Sequence, residues 1–356
     1  MSGSMRDVAV ISFAQETAER DRERNEVEFI IPVVRDAIAQ SGIPRHDIGF
    51  TVSGSCDYLS GGPFTFVQGL DAVGAWPPIK ESHLEMDAAW ALYEAWVAIQ
   101  VGDVDTALIY GFGKSSLGDV HEIFNLMNDP YSVMPLWPST VDLAALQACA
   151  AVAGGVTNEH ELAEIAARDR RAALENPHAI AGRDATAEVL LAEPVTHAPL
   201  RDADIAPVTD GAAAIVIAAG DAARQACDRP AWIRGIEHRI EPLALGVRDL
   251  TRSESTRAAA AAADVGGGPV EVAELHTQFS HEEPILRAAL GLGPDVDVNP
   301  SGGPLGANPI MATGLIRIGE VATRIMSGSV RRGVAHATQG PCLQQNLVCV
   351  LEGEPN

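Results

Sequence analysis

One order of strands and helices runs through this chain twice, and few folds accommodate an internal repeat of that size. The first half reads as a strand over 8–14, a helix near 27–41, a strand over 48–58 and a helix near 64–74. A helix over 85–102, a strand over 104–113 and, after a long interval, a strand over 211–220 complete it. The second half offers a strand over 231–238, a helix near 254–264, a strand over 270–280 and a helix near 281–290. A helix over 311–328 and strands over 331–340 and 346–353 follow. Strands alternating with helices predict α/β layers around a mixed, mostly parallel sheet. The halves divide into 1–225 and 226–356, and the interval 114–205, which breaks the pattern, reads as an inserted loop or cap domain. The two long helices read as apolar on nearly every face. In the first, Ala88, Trp90, Ala91, Leu92, Ala95, Trp96, Ala98 and Ile99 cover the whole circle, which predicts burial between two sheets.

Composition narrows the function classes. The formal charge is −23, so the chain repels phosphates and is excluded from nucleic-acid binding and from anionic membrane surfaces. An anionic small molecule needs a local basic patch. Arg168, Arg170 and Arg171 are the nearest candidate, and a plain solvated helix face is the alternative reading. Cys56, Cys149, Cys227, Cys342 and Cys349 are scattered, odd in number and without CxxC spacing, so neither a metal site nor a disulfide framework is expected. Reduced thiols in the cytoplasm are the expectation. The stretch MSGSMRDVAVISFA lacks a basic region followed by a long apolar run, and no segment of about 20 residues is uniformly apolar. Neither a secretory signal nor a membrane span is therefore expected.

Four segments carry a family resemblance. They are APVTDGAAAIVIA (206–218), AELHTQFSHEEPILRAALGLG (273–293), NPSGGPLGANPIMATG (299–314) and DAAWALYEAWVAIQVGDVDTALIYGFGKSS (87–116). In this order and at these distances the chain resembles the thiolase superfamily over essentially its full length. The likeness is strongest to sterol carrier protein x type thiolases and to actinobacterial nonspecific lipid-transfer thiolase-like proteins. The second segment stands where such thiolases have His-Asp-Cys-Phe or Asn-Glu-Ala-Phe. The third stands where they have Asn-Pro-Ser-Gly-Gly and Gly-His-Pro-Leu-Gly-Ala-Thr-Gly. The resemblance implies a thiolase fold, with duplicated mixed-sheet halves in a five-layer αβαβα sandwich, and usually a dimer. An apolar edge strand over 104–113 is the expected contact, because an open edge is a liability.

At the site the chain departs from the family. A thiolase holds a thiolate at the N-terminus of the buried helix, where backbone N–H groups stabilise negative charge. Aligning Gly102 with the glycine that ends the family's helix puts Glu85 at the nucleophile position, and no cysteine lies in 57–148. Asn308 replaces the family's second histidine, and Cys342 sits about two residues from the second catalytic cysteine. His276 keeps a polar family position. Each residue also has a plain reading. Ser82-His83-Leu84-Glu85 fits a capping box at a helix start. Asp87 serves either structure or chemistry, and His281 reads as a helix cap or a further site residue. Cys342 reads as a loop thiol or a nucleophile, and His336 as structural. Gly302, Gly303 and Gly306 suggest a tight loop approaching a ligand.

A site without a nucleophile still stabilises a thioester enolate, provided oriented donors hold the oxygen. The resemblance implies a coenzyme A thioester as substrate, with no covalently bound cofactor and no metal. Relatives of this kind include aldolases of steroid side-chain breakdown that work with a small subunit made of an OB-fold and a zinc ribbon. The leading expectation is retro-aldol cleavage of a 3-hydroxyacyl-CoA. In it His276 is base or oxyanion donor, Asn308 an oxyanion donor and Glu85 a second acid/base. An acyltransferase using an atypical nucleophile such as Cys342, and a non-catalytic lipid-transfer or binding subunit, remain open.

Overall fold

A computed structural model describes residues 5–21, 23–115 and 118–354. Ser116, which ends the fourth matching segment, lies outside the described residues. Twelve strands are present among them. They are β1 (Val8–Glu19), β2 (Phe50–Gly54), β3 (Glu81–Leu84), β4 (Thr106–Gly113), β5 (Val195–His197), β6 (Leu200–Arg201), β7 (Thr209–Ala219), β8 (Ala231–Ile240), β9 (Val272–Glu274), β10 (Asp297–Val298), β11 (Arg332–Gln339) and β12 (Gln345–Glu352). Strands β5 and β6 form a small hairpin, and the other ten run in the order β10-β9-β11-β12-β8-β1-β7-β4-β2-β3.

The repeat seen in the sequence is explicit here. Taken in chain order within each half, both runs of five strands follow the spatial order third, second, fourth, fifth, first. The third, second and fourth strands are parallel in each half. The fifth is antiparallel to both its neighbours in each half. The halves meet edge to edge through two residue pairs, Ala9 with Trp232 and Val10 with Ala231. Strands β3 and β10 are absent from the sequence reading, because ESHL is short with a single apolar residue and β10 has only two residues.

Three cores define five layers. Strand β7 shows how, since every one of its residues is buried. Ala213, Ile215 and Ile217 enter the central core, while Ala212, Ala214, Val216 and Ala218 enter an outer one. A strand covered on both faces reads as a continuous apolar run. The central core holds the helices Ala88–Gln100 and Thr313–Met326 between the inner faces of the two halves. Helix Glu26–Ser41 closes the outer face of the first half. Helices Glu254–Ala262 and Glu282–Leu290 close that of the second.

Several expectations need correction. Strand β4 (Thr106–Gly113) is interior, paired with β2 and β7, so it offers no edge; β3 is the edge of that half. The first central helix is not buried on all sides, since Val97 is exposed. The second is not apolar all round, since it buries Arg317 and Glu320. The interval 114–205 is largely helical. It contains the helix Glu159–Ala172, where the sequence suggests one near 157–174, and also Val120–Leu126, Thr140–Ala153 and Ala187–Leu191, which the sequence reading lacked. Among the described residues no helix is long and apolar enough to cross a membrane.

Candidate active site

Both central helices begin at one cleft. The first follows β3 and is capped by Asp87, whose side chain accepts the Ala89 N–H at 2.9 Å. The second has no side-chain cap of its own. It borrows Asp87, which accepts the Gly314 N–H at 2.8 Å through its other oxygen. A Cβ at Gly314 would collide with the Asp87 carboxylate, so that glycine is a packing requirement. The Asp87 backbone N–H donates to Gln339 Oε1 at 3.1 Å. Burial pushes the Asp87 carboxyl up to about 6, against the N–H groups of Ala89, Gly314 and Leu315 and the charge of Arg317.

His276 lies just past the C-terminal end of β9, where open α/β sheets place ligand-binding groups. The ring is buried, and desolvation, helped by His336 and Arg317, holds its pKa well below the usual range. The imidazole is therefore neutral at pH 7. Its Nδ1 accepts the Thr338 N–H at 3.3 Å, which puts the ring proton on Nε2; the Gln278 amide nitrogen, 3.3 Å from Nε2, would oppose a second donor there, so this tautomer goes with the amide turned to present Oε1. In that tautomer Nε2 donates and does not accept.

The cleft measures about 250 Å³. Asp87, Asn128, Thr140, His276, Gln278, Thr338, Gln339, Gln344 and Gln345 supply its polar lining. Phe124, Met127, Leu143, Ile310 and Met311 supply an apolar wall, much of it from the inserted interval. Sequence reasoning missed this wall and the glutamines. Gln278 alone carried a signal, since it stands where the family motifs have cysteine or alanine.

Asn308 is buried behind the cleft and is not part of its lining. Its Oδ1 accepts the Thr313 hydroxyl at 2.8 Å, which leaves Nδ2 as the donor. Glu85 is half exposed and stands outside the cleft lining. One of its oxygens accepts the Asp57 N–H at 2.6 Å and the other is 3.5 Å from His83 Nε2. The capping box expected at Ser82-His83-Leu84-Glu85 is not formed, because Glu81–Leu84 is a strand and Asp87 caps the helix. Asp57, His83 and Glu85 hold potential metal-ligand atoms within 4.8 Å of one another. The Asp57 carboxylate is already committed to the Phe64 N–H and to the Thr65 N–H and hydroxyl.

Other candidates lie elsewhere. His281 occupies a cap position but makes no cap hydrogen bond; its Nε2 is 3.2 Å from Gln147 Oε1, and burial lowers its pKa to about 3. His336 faces Asn346 Oδ1 at 2.9 Å, as a structural group would. The Cys342 thiol donates to the Leu143 carbonyl and does not line the cleft; burial pushes it up to about 12. Gly302, with φ 91°, and Gly306 would drive a Cβ into Ala173 of the inserted interval, and Gly303 into Asn299. The loop approaches protein rather than open space. The arginines do not form an open basic patch, because each is paired, although Arg171 is exposed as the solvated-face reading has it. Arg168 pairs with Asp169 and Glu283, Arg170 donates to the carbonyls of Ala203, Ala181 and Ile205, and Arg171 binds Asp184.

No family model matches the chain. An acetyl-CoA acetyltransferase of Methanothermobacter thermautotrophicus is 28% identical over 207 residues, 52% of this chain and 54% of the relative. The match thus spans about half the length of that curated protein. Solved structures resemble the chain throughout. One described as an Ltp2-ChsH2(DUF35) aldolase has a TM-score of 0.81 at 18% identity, covering 97% of each chain. An acetyl-CoA acetyltransferase of Bacillus anthracis has a TM-score of 0.77 at 16% identity, covering 99% of this chain and 100% of the other. Duplicated half-sheet order, paired central helices and these likenesses agree: the chain is a thiolase-fold protein.

Proposed function

We propose that the protein cleaves a carbon–carbon bond in a 3-hydroxyacyl-CoA by a retro-aldol reaction, without an acyl-enzyme. The observation that carries this reading is the cleft itself. It is lined by a buried carboxylate that accepts from the N-termini of two helices and by a neutral imidazole with a protonated Nε2, and no cysteine lines it. Asp87 takes the proton of the 3-hydroxyl. The C2–C3 bond breaks, and its electron pair passes through C2 to the thioester oxygen. An aldehyde or ketone leaves from C3. His276 Nε2–H donates to the enolate oxygen, and C2 then takes up the proton held by Asp87 to give the shortened acyl-CoA, while Asn308, behind the lining, is left out of the donor set. This reassigns the base from Glu85 and His276 to Asp87, because a ring whose Nδ1 already accepts a hydrogen bond holds its proton on Nε2.

Similarity to an aldolase whose description pairs it with a DUF35 protein supports a small OB-fold and zinc-ribbon subunit as partner. The β3 edge supports a homodimer through that strand in place of β4. Phe64 and Trp76 precede it in the chain and expose 70% and 87% of their surface. Light scattering that finds a monomer at micromolar concentration overturns the dimer.

The raised thiol of Cys342, turned toward the Leu143 carbonyl, counts against the acyltransferase reading. The deciding experiment combines the chain with the small subunit and short-chain and steroid-derived 3-hydroxyacyl-CoA esters. Release of aldehyde or ketone, with no acyl adduct in the intact mass, is expected. A stoichiometric adduct on Cys342 establishes the acyltransferase instead, and no cleavage of any ester favours a binding subunit.

A further inference from the structure

We infer that the Met311 side chain is the floor of the acyl site and sets how long an acyl group the cleft admits. The inference rests on the acyl-CoA reading above. Met311 has φ 77°, a left-handed conformation that a Cβ disfavours and that glycine adopts freely. Its carbonyl is held in the fold. The carbonyl accepts the Ala88 N–H at 2.9 Å, at the start of the first central helix, and the following residue, Ala312, donates to Pro309 O at 2.9 Å. Strand β4 presses on the same carbonyl, since a Cβ on Gly111 would come within 3.0 Å of it. Glycine would perform all of this without strain, so the backbone gives no reason for a methionine. The side chain does. It is buried and forms part of the apolar wall of the cleft. It also belongs to a small apolar cluster with Cys56, Leu59 and Ile310. Membership of both places it between the cleft and that cluster. Its removal would deepen the cleft toward Cys56 and Leu59. Strained backbone retained at a binding surface is a mark of function when the strain has an identifiable return.

The test measures binding of saturated acyl-CoA esters of increasing length by calorimetry. The proteins compared are the wild type and the variants Met311→Ala, Met311→Gly and Met311→Leu. Affinity should rise about fourfold per added methylene up to a limit. Met311→Ala and Met311→Gly should move that limit out by about three methylenes, the reach of the unbranched side chain. Met311→Leu should hold it near the wild-type length. Met311→Gly should also melt about 2 °C above Met311→Ala, since only glycine relieves the backbone. The same length limit in all four proteins overturns the assignment, and equal melting of the glycine and alanine variants removes the strain argument. If the wild type binds no ester of the series, the acyl-CoA reading fails and Met311 with it. If it binds them with a limit the variants keep, only the Met311 assignment fails.

Discussion

The two central helices invert what their sequences suggest. The first, Ala88–Gln100, is almost purely apolar, yet only seven of its thirteen residues are buried. The second, Thr313–Met326, carries three charged residues, yet eleven of its fourteen are buried. The charge is tolerated because it is paired. Arg317 donates to Glu274 at 2.6 Å and to Ser301 at 2.7 Å, and Glu320 binds Arg324 and Gln15. The N-termini are inverted too. The apolar helix begins with its own carboxylate, while the charged helix relies on that same carboxylate across the interface. One helix thus carries a buried ion-pair network and the other the group offered for chemistry.

Breaking the buried pair should have the largest effect. Arg317→Met leaves Glu274 in the core with Arg324 as its remaining cation, 3.5 Å away. A loss of about 3–5 kcal/mol in chemical denaturation is expected. A loss under about 1 kcal/mol would mean that the helix is held by its apolar face alone, like its counterpart.

Asp87 tests the other half of the contrast. Asp87→Asn should lower kcat/KM about 10²- to 10³-fold in the complete complex, the range of a lost acid–base group. The wild type should show an acidic limb near pH 6, from a carboxyl raised to about 6, and the variant should lack it. Stability has a definite sign. The folded pKa lies above the ordinary value of about 3.9, so the wild type loses stability as pH rises from about 4 to about 6 and is flat beyond. Relative to wild type, Asp87→Asn should gain about 3 kcal/mol across that window. A melting-temperature difference that is constant from pH 4 to 7 would show the carboxyl to be unperturbed.

His276→Ala should cost about 10²-fold in kcat/KM with little change in acyl-CoA affinity, because in the proposed reaction the ring acts on the thioester oxygen and not on the nucleotide. The variant should keep the limb near pH 6, since His276 is neutral throughout and Asp87 remains. Loss of the limb in this variant would return the role of base to the histidine.

Much of the architecture was legible in the chain because it rests on periodicity. Strand β7 reads as a strand because Ala, Ile and Val fill both of its faces. Strands β3 and β10 were not legible, because four residues with a single apolar one, and two residues, carry no period. At the site, His276 was readable from a motif position and Asp87 only as a neighbour of one. Phe124, Met127 and Thr140 were invisible, since they reach the cleft through folding of an interval whose sequence carries no repeat. Tautomers were equally hidden, because a backbone N–H from Thr338 decides the role of His276 and lies 62 positions along the chain.

The smallest expected effect is the most informative about reading sites by register. Alignment with the family puts Glu85 where a nucleophile belongs, two positions before Asp87. In the structure that step reverses direction: Asp87 turns into the cleft, while Glu85 turns out toward Asp57 and His83. Glu85→Gln keeps an amide oxygen to accept the Asp57 N–H and removes one half-exposed charge. Turnover within about threefold of wild type is expected, because surface substitutions away from a site change free energies by about 0.5 kcal/mol. Stability should also be close to wild type, since the His83 contact at 3.5 Å is long. A drop of 10²-fold in kcat/KM without a change in acyl-CoA binding would mean that Glu85 swings into the cleft when substrate is present. Asp87 would then be a cap and the family register the better guide. The double variant separates the two cases: Asp87→Asn with Glu85→Gln should be no worse than Asp87→Asn alone if only one carboxylate acts on the substrate.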